Sequence, residues 1–377
     1  MSLRTLSDIK LSIGTSEKVL VELATKKLGK KPTYFAIKKK SLDARNKSDL
    51  KYVYTIEFSN ESPPKKPALE RLPKNKLPKK QVAVIGSGPA GLFCALRLIE
   101  RGITPLLIER GGRVEDREKD IQTFINTTTL NPQSNIQFGE GGAGTFSDGK
   151  LNTQTHSPLN CDVLKTFVRF GAPEEILWLN KPHIGSDYLK KVVKNMREYI
   201  LANGGTIYFN TQMTDIKIKD GEVESVTIQS ESGVRELEVS ALVLAIGHSA
   251  RDTFELLLKR GLKITATDFA VGVRIEHLQG AIGFSQSGAS YSKLPAADLM
   301  LPLANGLLSI PLTSTICSQS GMESLKHDPR RACSSRNCPV ETLEVPAGHI
   351  RDALRQYLRR DPGCHRLALQ GVHPDRV

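Results

Sequence analysis

Apolar and polar residues alternate over residues 8–13, and again over 33–40 and 50–58, the period-two pattern of half-buried strands. Between the first two runs Val19, Leu20, Leu23, Ala24 and Leu28 recur at helical spacing, with Ser16 and Glu17 placed to cap a helix and Gly29 placed to stop it. A polar connection containing Asp43, Asn46 and Asp49 separates the second and third strands. Residues 1–60 are therefore expected to form a small α/β unit in the order strand, helix, strand, strand. Residues 61–80 lose all periodicity. Their five prolines and six lysines resist packing and favour extended, solvated backbone, so this stretch is expected to be a linker.

From Gln81 the pattern becomes β-α-β. The run Val82-Ala-Val-Ile85 reads as a buried strand leading into glycines, followed by a helix to Arg101, a stop at Gly102 and a second strand over 105–109. Further on, Leu189, Val192, Val193, Met196 and Ile200 make the inner face of a helix that Ser186 or Asp187 would cap and Asn203-Gly204-Gly205 would end. Strands are expected after it over 206–210, 215–219, 222–229, 234–239 and 241–246. The last is the longest apolar run in the chain, far below the roughly 18 residues a membrane-spanning helix needs. No membrane association is expected, and no internal repeat is present.

The first glycines carry chemistry. Gly86-x-Gly88-x-x-Gly91 follows an apolar strand, opens a helix, and is answered by an acid, Glu109, at the end of the next strand. Gly86 permits a tight turn, Gly88 lets backbone amides approach a pyrophosphate with no Cβ in the way, and Gly91 lets helix and strand pack closely. The helix N-terminus favours the phosphate charge. Glu109 is placed to accept hydrogen bonds from an adenosine ribose, and its charge disfavours a 2′-phosphate and hence NADP. A second spacing match, Gly139-x-Gly141-x-x-Gly144, follows only the short polar stretch 135–138 and precedes no helical pattern, so it is not a second turn of this kind. Its glycines suggest backbone lying against something flat or anionic, the alternative being a flexible surface loop.

Composition sharpens the domain picture. The 377 residues, 39% hydrophobic and 25% charged, suit two or three globular domains. Net charge is +13, of which +12 falls in residues 1–80. That basic front has few aromatics interleaved with its lysines, so solubilising charge is the expectation and nucleic acid is not an expected partner. The N-terminus meets Asp8, Glu17 and Glu22 and has no apolar core segment, which argues against a secretory or transit peptide and makes the cytoplasm the default. Six cysteines without a C-x-x-C pair fit a reduced compartment. Cys333 and Cys338, with His327, His349, Cys364 and His365, match no compact zinc spacing, and no metal is expected. Cys94 stands alone on the helix after the fingerprint and reads as a small packed residue, not half of a redox dithiol.

Several stretches together resemble the uncharacterised FAD-dependent dehydrogenase family of bacteria and plastids: Ser41-Leu-Asp-Ala-Arg45 with Tyr52-Val-Tyr-Thr55, the fingerprint at 86–91, Gly139-Glu-Gly-Gly-Ala-Gly-Thr-Phe-Ser-Asp-Gly-Lys150, Pro182-His-Ile-Gly-Ser-Asp187 and Ala245-Ile-Gly-His-Ser-Ala-Arg-Asp252. The resemblance covers about residues 5–298. It implies an α/β fold: a Rossmann-type FAD-binding domain of the glutathione-reductase kind with an inserted mixed α/β region on the substrate side, preceded by the small basic βαββ domain. The corresponding boundaries are 1–60, linker 61–80, 81–160 for the first FAD-binding half, and 161–298 for the insertion and the return to the FAD domain. FAD contacts are implied at Gly86, Ser87, Gly88, Pro89, Ala90 and Gly91, then at Glu109 and Arg110. The loop at Gly141 and Gly142 is implied to approach the flavin, Met213 lies on the strand passing the adenine, and Ala245 and Gly247 lie on the turn bordering the cofactor.

After residue 298 the resemblance ends. The family's C-terminal Gly-Asp segment is not found, and basic usage shifts to one lysine against nine arginines. Residues 299–377 are accordingly expected to be an atypical tail, out-of-frame or alternatively spliced relative to the family. The polar groups expected to face a flavin are Asp148, Lys150, His156 and His183, with a cation stabilising the reduced ring and His183 moving a proton. The expected function is an FAD-binding oxidoreductase, a dehydrogenase acting on a small molecule that the residues do not identify. The alternatives are a truncated non-catalytic relative with weak or no flavin binding, and an NAD-dependent dehydrogenase using the same turn.

Overall fold

The computed structural model describes residues 3–62, 71–147, 149–151, 153, 155, 157–179, 182–265 and 279–295, together with the backbone of 300–301 and 312–313. It divides into two compact units, residues 1–43 with 51–265, and residues 44–50 with 266–377.

In the first unit, the N-terminal strands β1 (Arg4–Ser12), β2 (Tyr34–Asp43) and β3 (Lys51–Ser59) form an antiparallel sheet in the order β1-β3-β2. Helix α1 (Lys18–Leu28) covers one face, where Leu20, Ala24, Tyr54, Ile56 and Phe58 are buried. The order strand, helix, strand, strand is as the pattern predicts, but β1 begins four residues earlier than the alternation suggests. The ladder shifts register between Leu6 and Ile9, with Asp8 at φ 58°, and this irregularity hides the period of two. Strand β2 also runs past the expected end at residue 40, taking in Asp43. Glu17 occupies the N-cap of α1 without a capping hydrogen bond; its carboxylate accepts from Lys40 Nζ at 2.7 Å and from the Tyr54 hydroxyl at 3.0 Å. Gly29 ends the helix in the left-handed conformation, as predicted.

The centre of the unit is a parallel sheet in the order β10-β4-β5-β6, built from β4 (Val82–Ile85), β5 (Pro105–Ile108), β6 (Thr206–Tyr208) and β10 (Ala241–Leu244). All four residues of β4 and all four of β5 are buried, which is why these strands read as unbroken apolar runs. On one face, Val84 and Leu107 pack against helices α2 (Pro89–Glu100), α4 (Leu159–Arg169) and α5 (Ser186–Ala202). On the other, Ala83, Ile85, Leu106 and Ile108 meet a second antiparallel sheet, β7 (Gln212–Lys219), β8 (Glu222–Ser230) and β9 (Gly233–Glu238), and helix α6 (Arg251–Lys259). The chain leaves the parallel sheet after β6, builds this meander, and returns through β10 beside β4.

Helix α5 starts at Ser186 with Gly185 as its N-cap, so neither Ser186 nor Asp187 caps it by a side chain. Four helices were not legible in the sequence: α3 (Val114–Thr127), α4, α6 and α7 (Gln279–Ser287). The buried stripe of α3 is Val114, Arg117 and Ile121, and an arginine at a core position conceals the apolar repeat. In the second unit, α7 (Gln279–Ser287) and the short 3-10 turn Gly288–Lys293 bring Phe284 and Tyr291 into an edge-to-face contact. Met300–Leu301 pairs with Leu312–Thr313 as a two-residue antiparallel ladder. The remainder of the expected tail 299–377 lies outside the described residues. No helix among the described residues is long and apolar enough to cross a membrane.

Candidate functional site

A cavity of about 690 Å³ opens at the carboxyl ends of β4, β5 and β10. This is the end of a parallel sheet at which open α/β folds hold ligands, and the volume is in the range of small-molecule pockets. Five chain segments make it: the turn from β4 into α2, the end of β5, the loop over 137–143, the stretch 211–213 at the start of β7, and the segment that follows β10 with the first turns of α6.

The first turn is shaped by its glycines. Gly86 has φ 100°, and a Cβ there would overlap the carbonyl oxygen of Ala245. One on Gly91 would overlap the Gly86 carbonyl oxygen. Gly88 is different: it is the N-cap of α2, it offers no side-chain cap, and a Cβ on it would meet nothing within 4 Å. Gly88 and the helix start behind it therefore border open space, with Pro89 at the first helical position, where no amide hydrogen is needed. Gly86, Gly88, Pro89 and Ala90 line the cavity. Gly91 does not; it serves the packing of helix on strand. Ser87 is fully buried beside the cavity and is not part of its lining.

Glu109 lines the cavity, yet most of its carboxylate is already committed. Oε2 accepts from the Ser87 amide at 2.8 Å and the Ser87 hydroxyl at 2.9 Å, and Oε1 accepts from the Gly111 amide at 2.9 Å. Glu109 thus fastens the fingerprint turn to the end of β5, and beyond these bonds the acceptor capacity that remains is on Oε1. Arg110 beside it donates to Asp252 at 2.6 Å, and Gln212 donates to the same carboxylate oxygen at 2.7 Å. Partial burial of Asp252 opposes ionisation, but Arg110 and the Thr253 amide outweigh it and hold the carboxyl below its ordinary value. Met213, Ala245 and Gly247 also line the cavity, Gly247 at φ 68°.

The glycine-rich loop at 139–142 is a packed wall, not a flexible surface loop. Gly139 and Gly142 line the cavity; Gly141 does not, but its amide donates to the Ser87 carbonyl at 3.0 Å. Gly139, Gly141 and Gly142 all have positive φ, and a Cβ would lie 2.7 Å from Arg117 Nε, 2.6 Å from Val193 Cγ2 and 2.8 Å from Pro89 Cδ, respectively. A 3-10 turn, Ala143–Phe146, follows.

Behind this wall sits a charged cluster that sequence reasoning missed. Arg117 of α3 is fully buried and donates to the carbonyls of Glu140, Asn135 (2.9 Å) and Gly142 (3.2 Å), with its guanidinium 4.7 Å from the centre of the Phe146 ring. Glu140, also fully buried, accepts at Oε2 from the Val114 amide at 2.6 Å and from Arg197 of α5 at 2.7 Å. Arg197 is shared with Glu115, which it meets at 2.7 and 3.0 Å. Burial pushes the Glu140 carboxyl up to about 7 despite Arg197, and pushes Arg117 down to about 10 despite Glu109 and Glu140. Among the described residues, Arg117 Nε, Ser134 Oγ, Glu140 Oε1 and Thr145 Oγ1 are buried without a hydrogen-bond partner. The only hint in the sequence was an acid set inside a run of glycines.

Lys150 and His183 face one another in a short antiparallel bridge, flanked by backbone hydrogen bonds between Leu151 and Pro182 and between Ile184 and Gly149. The fold thus joins the expected cation, Lys150, to the expected proton carrier, His183, although neither lines the cavity. Asp148 and His156 lie outside the described residues, as do Cys333, Cys338 and their neighbours. Cys94 is half-buried in α2, where burial pushes its thiol up, as fits a packed residue. No cluster able to hold a metal ion is present among the described residues.

Residues 79–130 match the family described as FAD binding domain, and residues 4–59 match a domain of unknown function, DUF8436. A protein of Clostridium beijerinckii described as uncharacterized is 38% identical over 318 residues; the match takes in 78% of this chain and 58% of the relative, so the chain spans little more than half of that protein's length. Looser likenesses join the chain to Thermovibrio ammonificans THI4 (17% identity, 63% of this chain and 77% of that one, TM-score 0.33). A geranylgeranyl bacteriochlorophyll reductase-like protein of Thermoplasma acidophilum gives 14% identity, 50% and 43% coverage, and a TM-score of 0.31. TM-scores this low bear no weight for fold or function. The resemblance to an FAD-dependent family is borne out by the domain match, and FAD is the cofactor it brings. The cavity fits that group: the Gly88 side is open where a Cβ would intrude, and the start of α2 carries no side-chain cap that would compete for an anion.

Proposed function

We propose, taking residues 79–130 as an FAD-binding domain, that this chain is the cofactor-holding part of an oxidoreductase that dehydrogenates a small molecule. FAD supplies hydride or electron acceptance when bound; the protein supplies position and electrostatics. The amides at the start of α2, bordered by Gly88, bind the pyrophosphate, and the free capacity of Glu109 Oε1 takes a ribose hydroxyl. Gly139, Gly142, Ala245 and Gly247 present backbone to the flavin side, where side chains would obstruct it. His183 is the candidate for moving a proton and Lys150, bridged to it, for balancing the charge of the reduced ring; neither lines the cavity itself. The observation that carries this reading is the coincidence of the fingerprint turn, Glu109, Met213 and the segment 245–250 around one cavity at the carboxyl end of a parallel sheet.

The test is direct. Purified full-length protein should be yellow, or become so with FAD, and should retain flavin absorbance through gel filtration. Colourless protein that cannot be reconstituted would establish the non-catalytic alternative, and NADH binding without a flavin spectrum would establish the NAD-dependent one.

A further inference from the structure

The cavity wall at Gly139–Gly142 is held from behind by the buried carboxylate of Glu140. Glu140 lies between two residues that line the cavity, Gly139 and Gly142, while its own side chain turns away into the protein and is fully buried. Every group that faces it is fixed. On α3 these are the Val114 amide, Glu115 and Arg117; on α5 they are Arg197, with Lys194 3.9 Å from Glu115. Glu109 lies beyond Arg117 and acts on it electrostatically. Arg197 divides its guanidinium between Glu115 and Glu140, and Arg117 acts on the carboxylate only through space while donating to the Glu140 carbonyl, so the carboxylate is hydrogen-bonded by a share of one cation and one amide on Oε2 and by no partner among the described residues on Oε1.

We propose that Glu140 is a positioning residue for the dinucleotide: it fixes the Gly139–Gly142 wall through Val114 and Arg197, and it takes up a proton from solvent when a pyrophosphate enters the cavity. The inference rests on the reading of that cavity as the FAD site. A buried carboxylate without full compensation responds strongly to a new charge nearby, because the low dielectric screens little. A pyrophosphate adds negative charge beside the segment that carries Glu140, whose neighbours Gly139 and Gly142 line the cavity and whose next residue, Gly141, donates its amide to the Ser87 carbonyl of the fingerprint turn. That raises the affinity of Glu140 for a proton, and linkage requires that FAD then bind more tightly where the proton is available. Burial already holds the free protein's Glu140 near neutrality, at about 7, so the uptake falls in an accessible pH window. The proton goes to the carboxylate, whose free Oε1 can carry it without breaking the contacts on Oε2.

Calorimetric titration of the full-length apoprotein with FAD, in two buffers of different ionisation enthalpy, counts the protons exchanged. The expected result between pH 6 and 8 is net uptake of a fraction of one proton per FAD, with affinity falling as pH rises by less than the tenfold per pH unit that one proton permits. Glu140→Gln should abolish both the uptake and the pH slope. Glu115→Gln, at a half-exposed position, hands Arg197 wholly to Glu140 and should move the uptake to lower pH. Wild-type FAD binding with no uptake, or uptake unchanged in both variants, overturns the proposal while leaving the FAD site intact. Absence of any FAD binding by the wild type overturns both.

Discussion

Gly86 and Ala245 come so close that no Cβ fits between them: one built on Gly86 would overlap the Ala245 carbonyl oxygen. The fingerprint turn and the segment after β10 are thereby locked as neighbours, which places two stretches about 160 residues apart in sequence on one cavity.

Two glycines of the same turn should separate folding from binding. Gly86→Ala meets backbone and imposes a φ of 100° on a residue with a side chain, so urea denaturation should register a loss of about 1–3 kcal/mol or more, together with loss of flavin. Gly88→Ala meets nothing in the protein and should leave stability nearly unchanged, while fluorescence titration shows FAD affinity weakened by roughly tenfold or more, about 1.4 kcal/mol.

Glu109 anchors the turn as well as the ligand. Removing it by Glu109→Ala strands the Ser87 and Gly111 amides and the Ser87 hydroxyl, at a cost of about 1–3 kcal/mol for each group left buried and unpaired. Thermal melts of the apoprotein should already show this loss, which a residue serving only the ribose would not produce.

The pH dependence of stability has a definite sign at Glu140. Its carboxyl is raised in the folded state to about 7, so the folded state binds more protons than the unfolded one between the ordinary glutamate value and 7. The contribution is complete below about pH 4.3 and is lost as pH climbs through about 7, amounting to roughly 3–4 kcal/mol in total. Denaturation at a series of pH values, wild type minus Glu140→Gln, should trace that fall; a flat difference contradicts it.

At the cavity mouth, Arg110 and Gln212 share the Asp252 carboxylate. The pair is partly exposed, so Asp252→Asn should cost less than about 1 kcal/mol of stability. It should nonetheless speed FAD release several-fold in stopped-flow displacement, because two side chains lining the cavity lose their anchor together.

Legibility followed the chemistry of each element. Strands β4 and β5 and the glycines after them were readable because burial on both faces demands unbroken apolar runs and the turn demands residues without a Cβ. β1 was half readable, since the register shift at Leu6 and Ile9 breaks its alternation. α3 was not readable, because the residue in its buried stripe is Arg117. The same residue explains why the loop at 139–142 could not be distinguished from a flexible one: what fixes it is a partner more than twenty positions away, and a carboxylate whose contacts are all tertiary.

The trio of Arg117, Glu140 and Arg197 also limits how sequences of this kind can drift. Losing the acid alone removes a buried negative charge that acts on both arginines, and losing either cation alone leaves an anion or several carbonyls stranded in the interior. Replacement of all three by hydrocarbon is tolerable only if it happens together, so the route runs through intermediates less fit than either end. The three positions are energetically coupled, and a substitution at one changes the cost of a substitution at the others.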